Sequence, residues 1–260
     1  MILVIPELSQ LLKSSIEECL EDKIAIAFSG GVDSTLIAKI ASGISAPYLF
    51  TVGVEGSEDL EYSEKVASQL KLPLEKIILD EKKILSLYEE IYPIVPASLL
   101  KVEILIPIYA ACLAARKKGF DAILFGSGAE ELFVGYQRYY TYLEEGKDLD
   151  SILKEEFKTL SKRDVGMIMK VSRKCTLDPR FPFLNRKLAD FVFAVPLEKR
   201  MEEPELKKGL LREAAKLLGV PDLVIKRKKK AAQYGSGVHR IVMKHDNFLN
   251  EAFPDKLIQV

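Results

Sequence analysis

Residues 23–40 read KIAIAFSGGVDSTLIAKI, in which an apolar segment, a glycine-rich hexapeptide and a helical segment follow one another directly. The first part, residues 23–28, is short and almost wholly apolar, as expected of a parallel strand covered on both faces. Gly30 and Gly31 then permit backbone angles closed to other residues and let main-chain N–H groups approach phosphate oxygens. The N-terminus of the following helix favours negative charge. This stretch therefore predicts a phosphate-binding loop between a first strand and its helix.

Two hydroxyls and a carboxylate complete the hexapeptide. Ser29 and Ser34 add hydrogen-bond donors for phosphate, whereas Asp33 would repel a pyrophosphate group unless a cation lay between them. The pattern therefore predicts Mg²⁺ together with a nucleotide phosphate chain. The alternative is a plain turn in which Ser34 or Asp33 only caps the helix. The position of the whole hexapeptide between a strand and a helix favours the binding loop.

Strands and helices alternate along the sequence after this loop. We predict further strands at 48–54, 74–79 and 121–125, and helices at 1–21, 34–44, 57–70 and 104–118. This alternation predicts a doubly wound parallel α/β sheet of the Rossmann-like kind. From residue 148 onward, amphipathic segments at 152–160, 164–171, 187–195 and 205–218 predict helices and no strand. We therefore expect a nucleotide-binding α/β part at 1–147 and a helical part at 148–260 of the same domain, packed at the carboxyl edge of the sheet.

The composition argues against several classes of protein. Lys and Arg number 38 against 38 Asp and Glu, so the overall charge favours no polyanion as the main partner, and we expect no nucleic acid. The three cysteines are far apart and odd in number, which predicts neither a disulfide framework nor a Cys-x-x-Cys metal site. The sequence has no apolar run of about 18 residues and no secretion signal. These features predict a cytoplasmic protein without a membrane segment.

A second segment of glycines and acids follows the predicted fourth strand. It reads LFGSGAEELFVGY at residues 124–136. Because the carboxyl ends of parallel strands meet at one edge of a sheet, this segment should lie beside the first loop. Glu130 and Glu131 offer the hard oxygen ligands that Mg²⁺ prefers, although acids at the start of a helix also suit the helix dipole alone.

Three segments resemble one family. The hexapeptide at 29–34 is the PP-loop motif of ATP pyrophosphatases, and residues 126–136 resemble the asparagine synthetase pattern Gly-Glu-Gly-x-Asp-Glu-x-Phe-x-Gly-Tyr. Residues 178–185, DPRFPFLN, resemble the Glu-x-Arg-x-Pro-Phe-Leu-Asp segment of the same family. The chain is thus similar to the synthetase domain of asparagine synthetases, nearest to asparagine synthetase domain-containing proteins that lack the glutaminase domain. This resemblance implies a fold of the adenine nucleotide alpha-hydrolase type.

The resemblance also implies a reaction and its residues. It implies an ATP-dependent amide ligase that forms AMP and pyrophosphate while adenylating a carboxylate, such as aspartate, for attack by ammonia or an amine. The implied cofactors are ATP and Mg²⁺. The implied nucleotide contacts are Ser29, Gly30, Gly31, Val32, Asp33, Ser34, Val52 and Gly126; the implied metal ligands are Asp33, Glu130 and Glu131. Arg180 and Asp178 would bind the carboxylate substrate, the alternative being an Arg180 paired for structure with Asp178 or Glu198.

A basic run stands near the C-terminal end. Residues 226–230 read KRKKK, and a loop of small residues follows at 231–238. This stretch is similar to the lysine-bearing loop that closes over phosphates in the family, which implies that Lys230 or Lys229 neutralises charge at the α-phosphate as pyrophosphate leaves. The alternatives are a solvated face or an RNA contact, in which case the chain would be a tRNA-modifying adenylating enzyme.

Two positions depart from the family pattern. Ser127, a further candidate catalytic residue, stands where asparagine synthetases carry a glutamate thought to handle protons, and a serine cannot be a general base. Met169 stands where relatives usually have aspartate. These departures leave open a catalytically altered ATP-binding module that acts in a complex. The sequence begins MILV, without the catalytic cysteine of a glutaminase domain, so we expect free ammonia, an amine or a separate glutaminase subunit as the nitrogen source.

Overall fold

The computed structural model describes residues 4–201, 205–228 and 232–253. These residues form one parallel sheet with the strand order β3-β2-β1-β4-β5, made of β1 (Lys23–Ala27), β2 (Ala46–Gly53), β3 (Leu74–Ile78), β4 (Ala122–Leu124) and β5 (Asp178–Arg180). The chain adds β2 and β3 on one side of β1, and then β4 and β5 on the other. Ligands bind doubly wound sheets at this switch in strand order. The predicted doubly wound parallel sheet is confirmed.

Helices cover the sheet and form most of the second half of the described chain. They are α1 (Val4–Glu17), α2 (Val32–Ala41), α3 (Glu58–Leu70), α4 (Glu81–Ile91), α5 (Leu99–Lys117), α6 (Ala129–Leu132), α7 (Gln137–Glu144), α8 (Leu149–Thr159), α9 (Asp164–Lys174), α10 (Arg186–Ala194), α11 (Leu197–Arg200), α12 (Gly209–Leu217), α13 (Asp222–Ile225), α14 (Ala232–Gly235), α15 (Val238–Val242) and α16 (Asp246–Ala252), with short 3₁₀ turns at Leu160–Lys162 and Pro182–Leu184. The predicted helices correspond to α1, α2, α3, α5, α8, α9, α10 and α12. Across the described ranges, no helix combines the length and apolarity that a membrane span requires.

A fifth strand shows that the prediction of no strand after residue 148 was wrong. β5 pairs in parallel with β4, with Asp178 opposite Ala122 and Arg180 opposite Leu124. The strand is only three residues long and contains Pro179, which has no backbone N–H to donate. Proline is tolerated there because β5 lies at the edge of the sheet, where only one side of the strand has a partner.

Two apolar clusters cover the two faces of the sheet. One contains Ile24 and Ile26 of β1 together with residues of α1, α2, α10 and α12, and the other contains Ala25 together with residues of α4, α5, α9 and α15. Successive strand residues point to opposite faces, which is why β1 contributes to both clusters. Helices from the first and second halves of the chain therefore lie on each face.

Candidate active site

The first glycine loop connects β1 to α2, as predicted. The backbone φ of Gly30 is +66°, a left-handed angle that favours glycine. A Cβ at this position would lie 3.0 Å from Cδ1 of Tyr62, so α3 packs directly against the loop. The Ser34 hydroxyl donates to the Gly31 carbonyl at 3.3 Å and accepts from the N–H of Ser29 at 3.4 Å. These contacts hold the loop closed on itself.

The second glycine segment lies beside the first loop. A Cβ at Gly126 would lie 3.0 Å from the Cβ of Asp33, which stands in the first turn of α2 after the buried Val32. Val52, the remaining predicted nucleotide contact, is buried near the carboxyl end of the neighbouring β2. The two segments therefore meet at the carboxyl edge of the sheet, as expected of parallel strands.

The third family-like segment packs on the second. Gly128, at φ +96°, has Cδ2 of Leu184 only 2.7 Å from the position that a Cβ would take. Ser127 lies between Gly126 and Gly128, half-buried, in the turn that leads from β4 to α6. The structure thus brings the three segments together, while a catalytic role for Ser127 stays a prediction.

A lysine that the sequence analysis missed connects the two acidic segments. Lys208 Nζ donates to Oδ1 and Oδ2 of Asp33 at 2.9 and 2.8 Å, and to Oε1 of Glu130 at 2.7 Å. Lys208 is 6% exposed. Burial by itself would lower the pKa of this ammonium group, but the two carboxylates outweigh burial and raise the pKa, so the group stays charged.

Asp33 and Glu130 therefore point at one shared cationic position. Mg²⁺ takes few protein carboxylates and completes its shell with phosphate and water oxygens, so this pair fits that ion. No cluster of three or more His, Cys, Asp or Glu side chains that could hold a metal occurs within the described part of the chain. Glu131 is 2% exposed, and burial raises the pKa of its carboxyl group to about 7. Its role as a third ligand stays a prediction.

Arg180 is held by partners within the protein. Its guanidinium donates to the Asp178 carboxylate at 2.8 Å, to the Cys19 carbonyl at 2.9 Å and to the Glu21 carboxylate. These contacts connect β5 to the segment between α1 and β1. The pairing with Asp178 is the structural alternative raised by the sequence, and substrate binding by Arg180 and Asp178 stays a prediction.

The predicted catalytic residues Lys229 and Lys230 lie outside the described residues. We call residues 228–230 the lysine segment. Just before it, the guanidinium of Arg227 donates to the carbonyl of Ser29 in the first loop at 3.4 Å. Beyond it, the carbonyl of Ser236 accepts a hydrogen bond of 2.8 Å from the backbone N–H that follows β2. The described residues on both sides therefore contact the carboxyl edge of the sheet.

These features define a doubly wound α/β protein with a glycine loop at the switch point of its sheet and two carboxylates facing one cationic position. A family model described as asparagine synthase matches residues 7–165 and 141–259. The chain belongs to the asparagine synthase family.

Several known proteins are similar to this chain. A Methanocaldococcus jannaschii protein that bears a provisional name of asparagine synthetase (glutamine-hydrolyzing) 1 is 34% identical over 268 residues, covering 86% of this chain and 47% of that protein. Asparagine synthetase B (glutamine-hydrolyzing) of Escherichia coli K12 is 26% identical over 251 residues, covering 89% and 45%. The chain thus spans about half the length of these curated relatives. A solved NMN synthetase from Francisella tularensis aligns with a TM-score of 0.48 at 12% identity, covering 94% of this chain and 85% of that one.

Proposed function

We propose that this chain is an ATP-dependent amide ligase that forms AMP and pyrophosphate. The acceptor of the adenylyl group would be a carboxylate such as aspartate, and the nucleophile ammonia or an amine. The observation that carries the proposal is the pairing of Asp33 and Glu130 around one cationic position directly beside the glycine loop. Membership of the asparagine synthase family supports the same class of reaction.

The chain's own groups would bind the phosphates in a simple division of roles. The N–H groups of the glycine loop and of the first turn of α2 have no intrahelical acceptor, so they would donate to the pyrophosphate part of ATP. Mg²⁺, held by Asp33 and Glu130, would neutralise phosphate charge when bound. In the structure the Lys208 ammonium lies between these carboxylates, so on entry of the ion it would move toward the phosphates and become a further donor to them.

The proposed reaction has two steps. A carboxylate oxygen of the substrate attacks the α-phosphate and pyrophosphate leaves; the nitrogen nucleophile then attacks the activated carbonyl carbon and AMP leaves. Lys229 or Lys230 would stabilise the charge that develops at the α-phosphate. Ser127 would orient an acceptor through its hydroxyl but would not take a proton at neutral pH, so the proton that the attacking amine loses as the amide forms would pass to water or to the departing AMP.

The proposed reaction also needs a source of nitrogen. The relatives named above are called glutamine-hydrolyzing. We propose that ammonia reaches this site either free or from a separate glutaminase subunit. Adding glutamine with such a subunit should then replace ammonium in product formation.

Pyrophosphate–ATP exchange tests the proposed function directly. We expect labelled pyrophosphate to enter ATP only with Mg²⁺ and a suitable carboxylic acid, in a screen that begins with aspartate. Asp33→Asn should lower the exchange rate about a hundredfold or more, because it removes one of the two carboxylates that would hold the charge-neutralising Mg²⁺ beside the phosphates. Asp222→Asn, at an exposed aspartate of α13, is the matched control and should exchange normally. Absence of both exchange and AMP release with every acid would refute the proposal.

Two departures from the family pattern support a second candidate. Ser127 and Met169 stand where the family usually has acids. A catalytically altered ATP-binding module would keep the glycine loop and bind Mg·ATP, and yet release no AMP. Calorimetry on the same protein sample would then detect Mg·ATP binding without AMP release, whereas an inactive preparation would bind no Mg·ATP.

A further inference from the structure

Arg227 lies where the glycine loop, the start of α3 and the lysine segment meet. Its side chain is 8% exposed. One terminal nitrogen donates to the carbonyl of Ser29 at 3.4 Å, and the other donates to Glu58 Oε1 at 3.1 Å and to Asp59 Oδ1 at 3.4 Å. The guanidinium carbon lies 3.6 Å from the centre of the Tyr62 ring. A single side chain therefore contacts the loop, two carboxylates and an aromatic face.

The contact with Ser29 bears on the direction of a backbone amide. The peptide between Ser29 and Gly30 is trans and planar, so its N–H points opposite to its carbonyl. By binding the carbonyl, Arg227 fixes the direction of the N–H of Gly30. That N–H is one of the groups that would donate to phosphate in the glycine loop.

The contacts with α3 bear on local charge. Glu58 and Asp59 stand at the start of α3, the helix whose Tyr62 packs against the glycine loop. Two carboxylates so close to the loop would repel a triphosphate, and the guanidinium of Arg227 offsets that repulsion. Arginine suits this position better than lysine, because its planar fork reaches several oxygens at once while its face stacks on an aromatic ring.

Both sides of the lysine segment meet at one carboxylate. Asp59, which is 4% exposed, accepts from Arg227 before the segment, and its Oδ2 lies 2.5 Å from the position that a Cβ of Gly235 would take after it. Any side chain at residue 235 would collide with this carboxylate. Arg227 and Gly235, which flank the lysine segment, therefore both lie against Asp59 of α3.

A second arginine holds the backbone of the first. Arg212 of α12 is 7% exposed, and its guanidinium donates to backbone carbonyls on two separate stretches of chain. The acceptors are Leu206 at 3.0 Å, Lys207 at 2.8 Å, Val224 at 3.1 Å, Ile225 at 2.6 Å and Arg227 at 3.0 Å. The residue before Lys208 and the residue before the lysine segment are thus fixed by the same side chain.

We propose that Arg227 is a positioning residue that couples the glycine loop to the start of α3. It fixes the Ser29 peptide and offsets the charge of two carboxylates at the start of α3. The inference rests on the proposed function, since the ligand that the loop is prepared for is the pyrophosphate part of Mg·ATP.

Calorimetry with Mg·ATP on Arg227 variants tests the inference. Arg227→Ala should raise the dissociation constant about tenfold or more, and Arg227→Lys should recover little of that loss. Arg186→Ala is the matched control, because it removes an exposed guanidinium that pairs with Asp190 on α10; its dissociation constant should stay within about twofold of the wild type. Millimolar guanidinium chloride should restore binding to Arg227→Ala by occupying the buried position, whereas ammonium chloride should not.

Hydrogen exchange in the nucleotide-free protein separates this inference from the proposed function. The amides of Ser29 and Thr35 donate to the Ser34 hydroxyl and the Gly31 carbonyl within the loop, and they should exchange about tenfold faster in Arg227→Ala than in the wild type, with no change in Arg186→Ala. The coupling role would be overturned if Arg227→Ala left the exchange rates unchanged, or if it folded and bound ATP with unchanged affinity. It would also be overturned if the loss of affinity paralleled a fall in melting temperature and guanidinium did not reverse it. A wild type that takes up no Mg·ATP would refute the proposed function, and the exchange rates would still decide the coupling.

Discussion

Lys208 and its two carboxylates depend on one another for their burial. The ammonium group is almost fully enclosed, and Asp33 and Glu130 are each only partly open to water. Removing one partner from such a group leaves uncompensated charge, which costs more than the intact group contributes. The arrangement therefore makes this position sensitive to substitution even without nucleotide.

Lys208→Met should lower the free energy of unfolding by about 3 kcal/mol in the nucleotide-free protein, because Asp33 and Glu130 then face each other without a cation. Urea unfolding at low ionic strength measures the loss. Lys216→Met, at an exposed lysine of the same helical region, should change stability by less than about 0.5 kcal/mol. Magnesium chloride should stabilise Lys208→Met more than the wild type, and equal stabilisation would argue against a shared cation position.

The residues of this site differ in how far the sequence reveals them. Asp33 and Glu130 are predictable because each stands within a few positions of glycines that follow an apolar strand. Lys208 is separated from Glu130 by 78 positions and lies in no motif. Its contact exists only because α12 packs on α1 and α2 in the finished fold, which is a tertiary relation that local spacing does not encode.

At the scale of elements, the glycine loop is built against α3 as much as against its own strand and helix. Gly30→Ala should cost more than the left-handed backbone angle alone, which is about 1–2 kcal/mol, because the added Cβ would also press on Tyr62 at 3.0 Å. Gly119→Ala is the matched control: its φ is +87°, and no described heavy atom lies within 4 Å of the added Cβ. Scanning calorimetry should show the larger loss for Gly30→Ala, and only that variant should weaken Mg·ATP binding, by about tenfold or more. Equal losses in the two variants would mean that the packing against α3 is unimportant.

The elements also show where pattern-based prediction reaches its limit. β1, β2 and β4 were predictable because each is a largely apolar run between turn residues, and α4 was open to pattern-based reasoning because its buried residues recur at helical spacing. β5 has neither an apolar run nor a favourable composition, since its middle residue is Pro179. It is a strand because the neighbouring β4 supplies partners in register, and the sequence of the segment itself does not show this.

For the whole molecule, the two halves of the chain are interleaved across the sheet. Residues after 148 supply the edge strand β5, α10 and α12 on one face, and α9 and α15 on the other. The boundary that we expect at residue 147 stays a prediction, but the shared clusters indicate that neither side of it buries its apolar surface alone. Such a chain should lose its two halves together when it unfolds.

Leu211→Ala tests this interdependence. Leu211 is fully buried on α12 and belongs to the same apolar cluster as Ile24 and Ile26 of β1. The substitution should lower the free energy of unfolding by about 3 kcal/mol, and native-state hydrogen exchange should show the same loss at the amides of Ile24 and Ile26. Leu217→Ala, at a 60% exposed leucine of the same helix, should change both by less than about 0.5 kcal/mol. A cavity in one cooperative cluster must lower the stability of every element that unfolds with it. If the amides of β1 kept their protection from hydrogen exchange in Leu211→Ala, the helical half would therefore be a separate folding unit.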